Sequence, residues 1–147
     1  MVTAKDIAAY ILRRAGAMSA MKLQKLVYYA QAWSLALRSA PLFRERVQAW
    51  AHGPVVYELF ELHRGRYVVA SLPPPVRELT EEERALVDDV VSYYGTMTAE
   101  ALSRLTHAEM PWRAARAGVP EGQRASAVIT TEAMRRFYAG QPVPFAA

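Results

Sequence analysis

The stretch Met21-Lys-Leu-Gln-Lys-Leu-Val-Tyr-Tyr-Ala-Gln-Ala-Trp33 decides the fold, because its apolar residues recur at helical spacing. We expect it to form most of a long helix that Ser19 caps and that ends near Leu37. The apolar stripe predicted to face the core consists of Leu23, Leu26, Val27, Ala30, Trp33 and Leu37. The polar residues that lie largely off this stripe are Lys22, Lys25, Gln31 and Arg38.

Two adjacent tyrosines do not both fit on one buried stripe. Tyr28 and Tyr29 project about 100° apart on a helix, so they cannot both lie at the centre of one apolar stripe. Burial is the usual state of aromatic residues on an apolar stripe. We nevertheless expect at least one of the two at the margin, with its hydroxyl available to a partner. An exposed tyrosine near Arg, Trp or His is typical of a protein-binding hot spot.

A second informative stretch, Ala49-Trp-Ala-His-Gly-Pro-Val-Val56, follows about sixteen residues later. Its first part, together with the segment from Pro41, predicts a small β-hairpin or extended element near residues 42–51. Gly53-Pro54 is predicted to begin the third helix, since proline is favoured at the first helical position. Gly65 should end that helix.

Capping signals divide the rest of the chain into helices. Thr3 with Asp6 predicts a helix over 4–14, and Thr80 with Glu83 predicts one that ends near Tyr94. Further helices are expected from Thr98 to His107, from Pro111 to Arg116, and from Thr130 or Thr131 to Gly140. The run 73–75 of three prolines is a surface connection. We therefore predict a mostly α, compact single-domain bundle of about six to seven helices over 1–147.

Composition excludes several classes of function. The 147 residues contain no cysteine, which excludes disulfides, thiolate catalysis and Cys-ligated zinc. The first residues lack a signal-peptide pattern, and no apolar run approaches the roughly 18 residues of a membrane helix, so we expect a cytoplasmic protein. The net charge is +4, but the basic residues are scattered among acidic ones. A solvated surface is favoured over nucleic-acid binding.

The three histidines and the glycines give little support for catalysis. No glycine-rich phosphate loop and no Gly-x-Ser-x-Gly elbow is present. His63 is expected to interact with the dipole at a helix end, and His107 to have a structural role with Trp112 packed behind it. An enzyme would require His52 and His107 to converge on one pocket with a carboxylate nearby. We predict no enzymatic activity, no metal and no cofactor.

Both informative stretches, with Pro41-Leu-Phe43 between them, resemble the signature of the Panacea domain of SocA-like antitoxins, which also occurs in phage-associated proteins. Ser103-Arg-Leu-Thr-His-Ala-Glu-Met-Pro-Trp112 resembles the second block of that family, and residues 129–138 resemble its closing helix. The resemblance implies a non-enzymatic antitoxin, connected with phage defence, that neutralises a toxin by direct binding. It also implies that the cognate toxin is usually encoded by a neighbouring gene.

On this basis the predicted partner-binding residues are Tyr29, Gln31, His52 and Tyr57. The residues predicted to form the scaffold of the motif are Leu23, Leu26, Trp33, Trp50, Gly53, Pro54, Val55, His107 and Trp112. Two alternatives stay open: a DNA-binding regulator of its own operon, motivated by the basic pI of about 9.6, and an adaptor that delivers the toxin to a protease. The sequence contains no heptad repeat from which an oligomeric state could be predicted.

Overall fold

The computed structural model of the protein describes residues 1–145 and is mostly helical. The helices are α1 (Ala4–Ala15), α2 (Ala20–Arg38), α3 (Tyr57–His63), α4 (Glu81–Tyr94), α5 (Ala99–Ala108), α6 (Met110–Ala115) and α7 (Thr131–Ala139). The strands are β1 (Met18–Ser19), β2 (Val47–Trp50), β3 (Gly53–Val56), β4 (Val68–Val69) and β5 (Val128–Ile129). The predicted class, a mostly α bundle of six to seven helices with a small β element, is confirmed.

Side-chain caps fix the helix starts that the sequence predicts. Thr3 and Thr80 each form a complete capping box, with Asp6 and Glu83 as the respective third helical residues. The hydroxyl of Ser19 accepts a hydrogen bond from the Lys22 amide at the start of α2. Thr98 and Thr130 cap α5 and α7 in the same way. These local signals explain why the helix starts were predictable.

Helix α2 lies at the centre of the bundle and is buried on nearly all sides, not along one stripe. It packs against α1, α4, α5, α7 and the β2–β3 hairpin. Lys25 and Gln31, predicted to lie off the stripe, are each 1% exposed, whereas Leu37, predicted to be on it, is 49% exposed. The single-stripe prediction was wrong here because it assumes that only one face of a helix meets the core.

The segment at Gly53-Pro54 is a strand, so the prediction that it begins a helix was wrong. β3 pairs antiparallel with β2, with Val47 opposite Val56 and Trp50 opposite Gly53, and α3 begins only at Tyr57. Pro54 is tolerated because β3 is an edge strand in the sheet order β3-β2-β5.

Two further strand pairings had no predicted counterpart. β5 pairs with the other edge of β2, and β1 pairs with β4 to form a second small antiparallel sheet. Each of these three strands is only two residues long, so none of them has a periodic pattern in the sequence.

Tyrosines form the aromatic centre between α2 and α7. Tyr28 and Tyr29 are both buried, and their hydroxyls are hydrogen-bonded to Tyr138 at 3.0 Å and to Glu109 at 2.7 Å respectively. The Tyr138 hydroxyl also donates to Glu109, at 2.8 Å. The expectation of one marginal tyrosine with a free hydroxyl was therefore wrong, since α7 and the Glu109 carboxylate satisfy both groups.

Candidate binding cleft

A cleft of about 800 Å³ opens beside the first turns of α2. Residues from four segments line it: 20–25 of α2, 50–55 of the hairpin, 60–67 around the end of α3, and 122–126 of the loop before β5. These segments are far apart in sequence and meet only in the folded chain. The volume lies in the range of small-molecule pockets.

Lys25 lies at the inner end of this cleft and is almost fully buried. Its side chain is 1% exposed, and burial lowers the pKa of its ammonium from 10.5 to about 8. Within residues 1–145 the Lys25 ammonium has no carboxylate as an ion-pair partner. A Cβ atom on Gly53 would lie 2.7 Å from Lys25 Cε, so the absence of a side chain at Gly53 makes room for the lysine.

Gln24 and His63 form a second polar pair in the cleft wall. Gln24 accepts a hydrogen bond from the Val56 amide at 2.9 Å, and its amide nitrogen lies 3.0 Å from His63 Nε2. His63 is buried, and burial lowers its pKa, which favours the neutral ring. His63 lies in the last turn of α3, as predicted, and its side chain also contacts Gln24 of α2 and lines the cleft.

An aromatic cluster, here called the aromatic rim, consists of Trp50 and Phe60, which line the cleft, and Tyr57, which packs against both. The Trp50 ring centroid lies 5.0 Å from that of Phe60 and 6.4 Å from that of Tyr57. The guanidinium of Arg64 sits 5.1 Å from the Phe60 centroid and donates to the Tyr57 hydroxyl at 3.2 Å. Tyr57 is 38% exposed.

The structure separates the four predicted partner-binding residues into two pairs. His52 and Tyr57 are exposed, at the hairpin turn and the aromatic rim. Tyr29 and Gln31 are buried and cannot reach a partner of the folded chain. Gln31 instead donates to the Phe43 carbonyl at 2.9 Å and accepts from the Leu42 amide at 2.7 Å. The prediction that they contact a partner was wrong, because their polar groups form hydrogen bonds within the folded chain.

Several predicted scaffold residues make contacts at the hairpin or in the helical core. Trp112 Nε1 donates to the Trp50 carbonyl at 2.8 Å, and the His107 ring stacks on Trp112 with centroids 3.8 Å apart. Trp33 Nε1 donates to the Tyr94 hydroxyl at 2.8 Å. The other buried members of the predicted scaffold are Leu23, Leu26, Gly53, Pro54 and Val55.

Arg116 is a structural residue that the sequence did not reveal. The residue is 3% exposed, and its guanidinium donates to the carbonyls of Ala49, Pro120 and Gln123, at 2.9, 3.2 and 2.5 Å. It thereby ties the loop before β5 to the hairpin. Nothing in the local sequence distinguishes Arg116 from the other scattered arginines, since its partners are backbone carbonyls.

The structure does not bring His52 and His107 together in the cleft. His52 lines it, but His107 does not; His107 Nδ1 instead lies 3.6 Å from the carboxylate of Glu121. Among residues 1–145, no group of three or more His, Asp or Glu side chains is arranged to hold a metal ion. No helix within the same residues is long and apolar enough to span a membrane.

Comparison with known proteins identifies the family. The sequence matches no curated protein and no solved structure. A family model described as antitoxin SocA-like, Panacea domain, matches residues 23–113, which is more than half of the chain. The matched region contains most of α2, the hairpin, the aromatic rim and Trp112. The chain belongs to the SocA-like antitoxin family with a Panacea domain.

Proposed function

We propose that this protein neutralises a protein toxin by binding it directly, and that the aromatic rim is the contact surface. The observation that carries the proposal is the position of this cluster, in which Tyr57 is exposed and Trp50 and Phe60 are half-buried, within the region that matches the antitoxin family. The toxin is expected from a neighbouring gene and the encounter is expected in the cytoplasm.

The composition of the aromatic rim fits a protein contact. Tryptophan, tyrosine and arginine are the residue types most enriched at binding hot spots, and Trp50, Tyr57 and Arg64 lie together here. The adjacent Tyr67 is 77% exposed and extends the apolar surface across the cleft. The free energy of the system falls when a partner covers such a surface and excludes water from it.

The scaffold supports the same role by holding the aromatic rim rigid. The Trp50 backbone is paired with β3 and also accepts from Trp112, while Gln24 fixes Val56 at the junction with α3. A contact surface that is ordered before binding loses less conformational entropy when the toxin docks.

The test is co-expression with the product of the neighbouring gene, scored by growth rescue and by co-purification. We expect Tyr57→Ala to weaken the complex about 30-fold, which corresponds to a hot-spot loss of about 2 kcal/mol. Tyr93→Ala is the matched control, since Tyr93 is exposed to a similar extent, 39% against 38% for Tyr57, but lies on α4, outside the aromatic rim. It should leave rescue unchanged.

Thermal melts of both variants are needed because a folding defect would imitate a binding defect. Both tyrosines are partly exposed, so both variants should unfold close to the wild type. If the wild type neither binds the neighbouring product nor rescues growth, the proposed function is wrong. If it does both and Tyr57→Ala is as effective as Tyr93→Ala, the contact surface lies elsewhere.

A further inference from the structure

The cleft contains a buried positive charge for which the chain provides no counter-charge. The residues that line the cleft include Lys25, Arg66, Arg124 and two histidines, and none of them is acidic. Burying an ammonium without an anion is unfavourable, because its hydration is lost and nothing replaces it. A ligand that brings an anion to Lys25 would remove this penalty.

The walls next to Lys25 are largely apolar. Trp50, Phe60 and Tyr67 line the cleft together with Val55. A ligand that fills this space therefore has an apolar or aromatic body as well as an anionic group. The combination of apolar walls with a few placed polar groups is typical of sites for small organic molecules.

The charge of the cleft favours a carboxylate over a phosphate as the anionic group of the ligand. His63 is kept neutral by burial, so the inner end of the cleft offers one positive charge, from Lys25. Arg66 and Arg124 are exposed and solvated at the outer edge. One buried ammonium balances a monoanionic carboxylate, whereas a phosphate monoester, with a charge of about −1.5 to −2 at pH 7, would bring negative charge that Lys25 alone does not balance.

We propose that the cleft is a binding site for an organic carboxylate, with the carboxylate paired to Lys25 and the apolar body against Trp50 and Phe60. The carboxylate has two chemical sources, a free small molecule or an acidic group of the bound toxin. The second source rests on the proposed function, and the first does not.

The probe is phenylacetate, titrated by calorimetry into the isolated chain at pH 7. We expect saturable binding with a Kd on the order of millimolar, as suits a ligand of so few atoms. Phenylacetamide has the same shape without the charge and should bind at least about tenfold more weakly, because the charge-assisted hydrogen bond is lost. Both titrations use the wild type, so they do not depend on a variant that folds.

Variants locate the site. Lys25→Met gives an unbranched side chain of similar length without the charge, and should weaken phenylacetate binding at least about tenfold. Lys5→Met makes the same change on α1, where Lys5 does not line the cleft, and should bind as the wild type does. NMR of ε-13C-labelled lysine adds a direct readout, since only Lys5, Lys22 and Lys25 contribute signals. The Lys25 signal should shift with phenylacetate.

The proposal is overturned if the wild type binds no phenylacetate, if phenylacetamide binds equally well, or if the Lys25 signal does not move. Growth rescue then identifies the source of a carboxylate whose binding has been established. Loss of rescue by a folded Lys25→Met variant assigns the carboxylate to the toxin, and retained rescue assigns it to a free molecule. Because calorimetry uses the isolated chain, its result is independent of toxin neutralisation.

Discussion

Lys25 makes the stability of the molecule depend on pH. Its pKa is about 8 in the folded chain and 10.5 when the side chain is solvated. Between these values the unfolded chain holds a proton that the folded chain has released, so the free energy of unfolding rises with pH across this range. The burial penalty is largest below pH 8, where it amounts to about 3 kcal/mol.

We therefore predict that Lys25→Met stabilises the protein at pH 7 by about 1–3 kcal/mol, since an apolar side chain of similar length carries no buried charge. The wild type should gain stability from pH 7.5 to 9.5, and the variant should not. Urea unfolding at several pH values measures both quantities, with Lys5→Met as the control. The same slope in Lys25→Met and the wild type would show that another group titrates.

Individual polar residues were the hardest feature to predict. Gln31 and His63 are ordinary surface residue types, and only their partners in distant segments make burial tolerable. The burial of Tyr29 depends likewise on Glu109, which is 80 positions away. Periodicity along one helix carries no information about such partners. Helix starts, by contrast, depend on residues within one turn and were predicted correctly.

At the scale of the element, the β2–β3 hairpin depends on the absence of a side chain at Gly53. The backbone there has φ +121°, which L side chains rarely adopt, and an added Cβ would also lie 2.7 Å from Lys25 Cε and 3.1 Å from Thr106 Oγ1. Gly16, with φ +88°, has no heavy atom within 4 Å of such a Cβ. A comparison of alanine substitutions at the two glycines therefore separates the cost of backbone strain from the cost of steric conflict.

We predict that Gly53→Ala lowers the free energy of unfolding by about 2–4 kcal/mol, through strain of about 1–3 kcal/mol and displacement of Lys25. Gly16→Ala, with strain alone at φ 88° and ψ −179°, should lose about 1–3 kcal/mol and less than Gly53→Ala does. Urea denaturation of both variants gives the comparison. Equal losses would indicate that the close approach to Lys25 adds nothing to the cost.

The hairpin also shows why the boundary of α3 was mispredicted. A Gly-Pro pair before an apolar run is a genuine helix-start signal. Here that local signal is outweighed by strand pairing with β2 and by the Gln24 side chain, which hydrogen-bonds both the amide and the carbonyl of Val56. Those partners come from other elements, so the residues around Gly53 alone do not predict the strand.

At the scale of the whole molecule, α7 completes a core that begins with α2. Tyr138 of α7 is 1% exposed and packs against Tyr28, Tyr29 and Trp33, with ring centroids 5.6 to 6.2 Å apart. Helix α7 lies outside the matched residues 23–113. The closing helix was predictable from its cap and glycine stop, but its docking site was not, since this depends on long-range packing.

We predict that a chain truncated to residues 1–130, without α7, loses cooperative unfolding. Removing Met134 and Tyr138 forfeits about 4–6 kcal/mol of apolar burial, a large part of the 5–15 kcal/mol that stabilises a typical domain. It also leaves Tyr28 without its hydrogen-bond partner. Thermal unfolding followed by circular dichroism and tryptophan fluorescence measures the effect.

The control for this truncation is a chain that ends at Gly140 and keeps all of α7. It loses the contact between Phe145 and Trp33, whose ring centroids are 5.6 Å apart, and should melt cooperatively with a modestly lower Tm. A cooperative transition of the 1–130 chain, within a few degrees of this control, would show that α2 and its remaining neighbours form a self-sufficient core. In that case the cleft and aromatic rim would be carried by residues 1–130 alone.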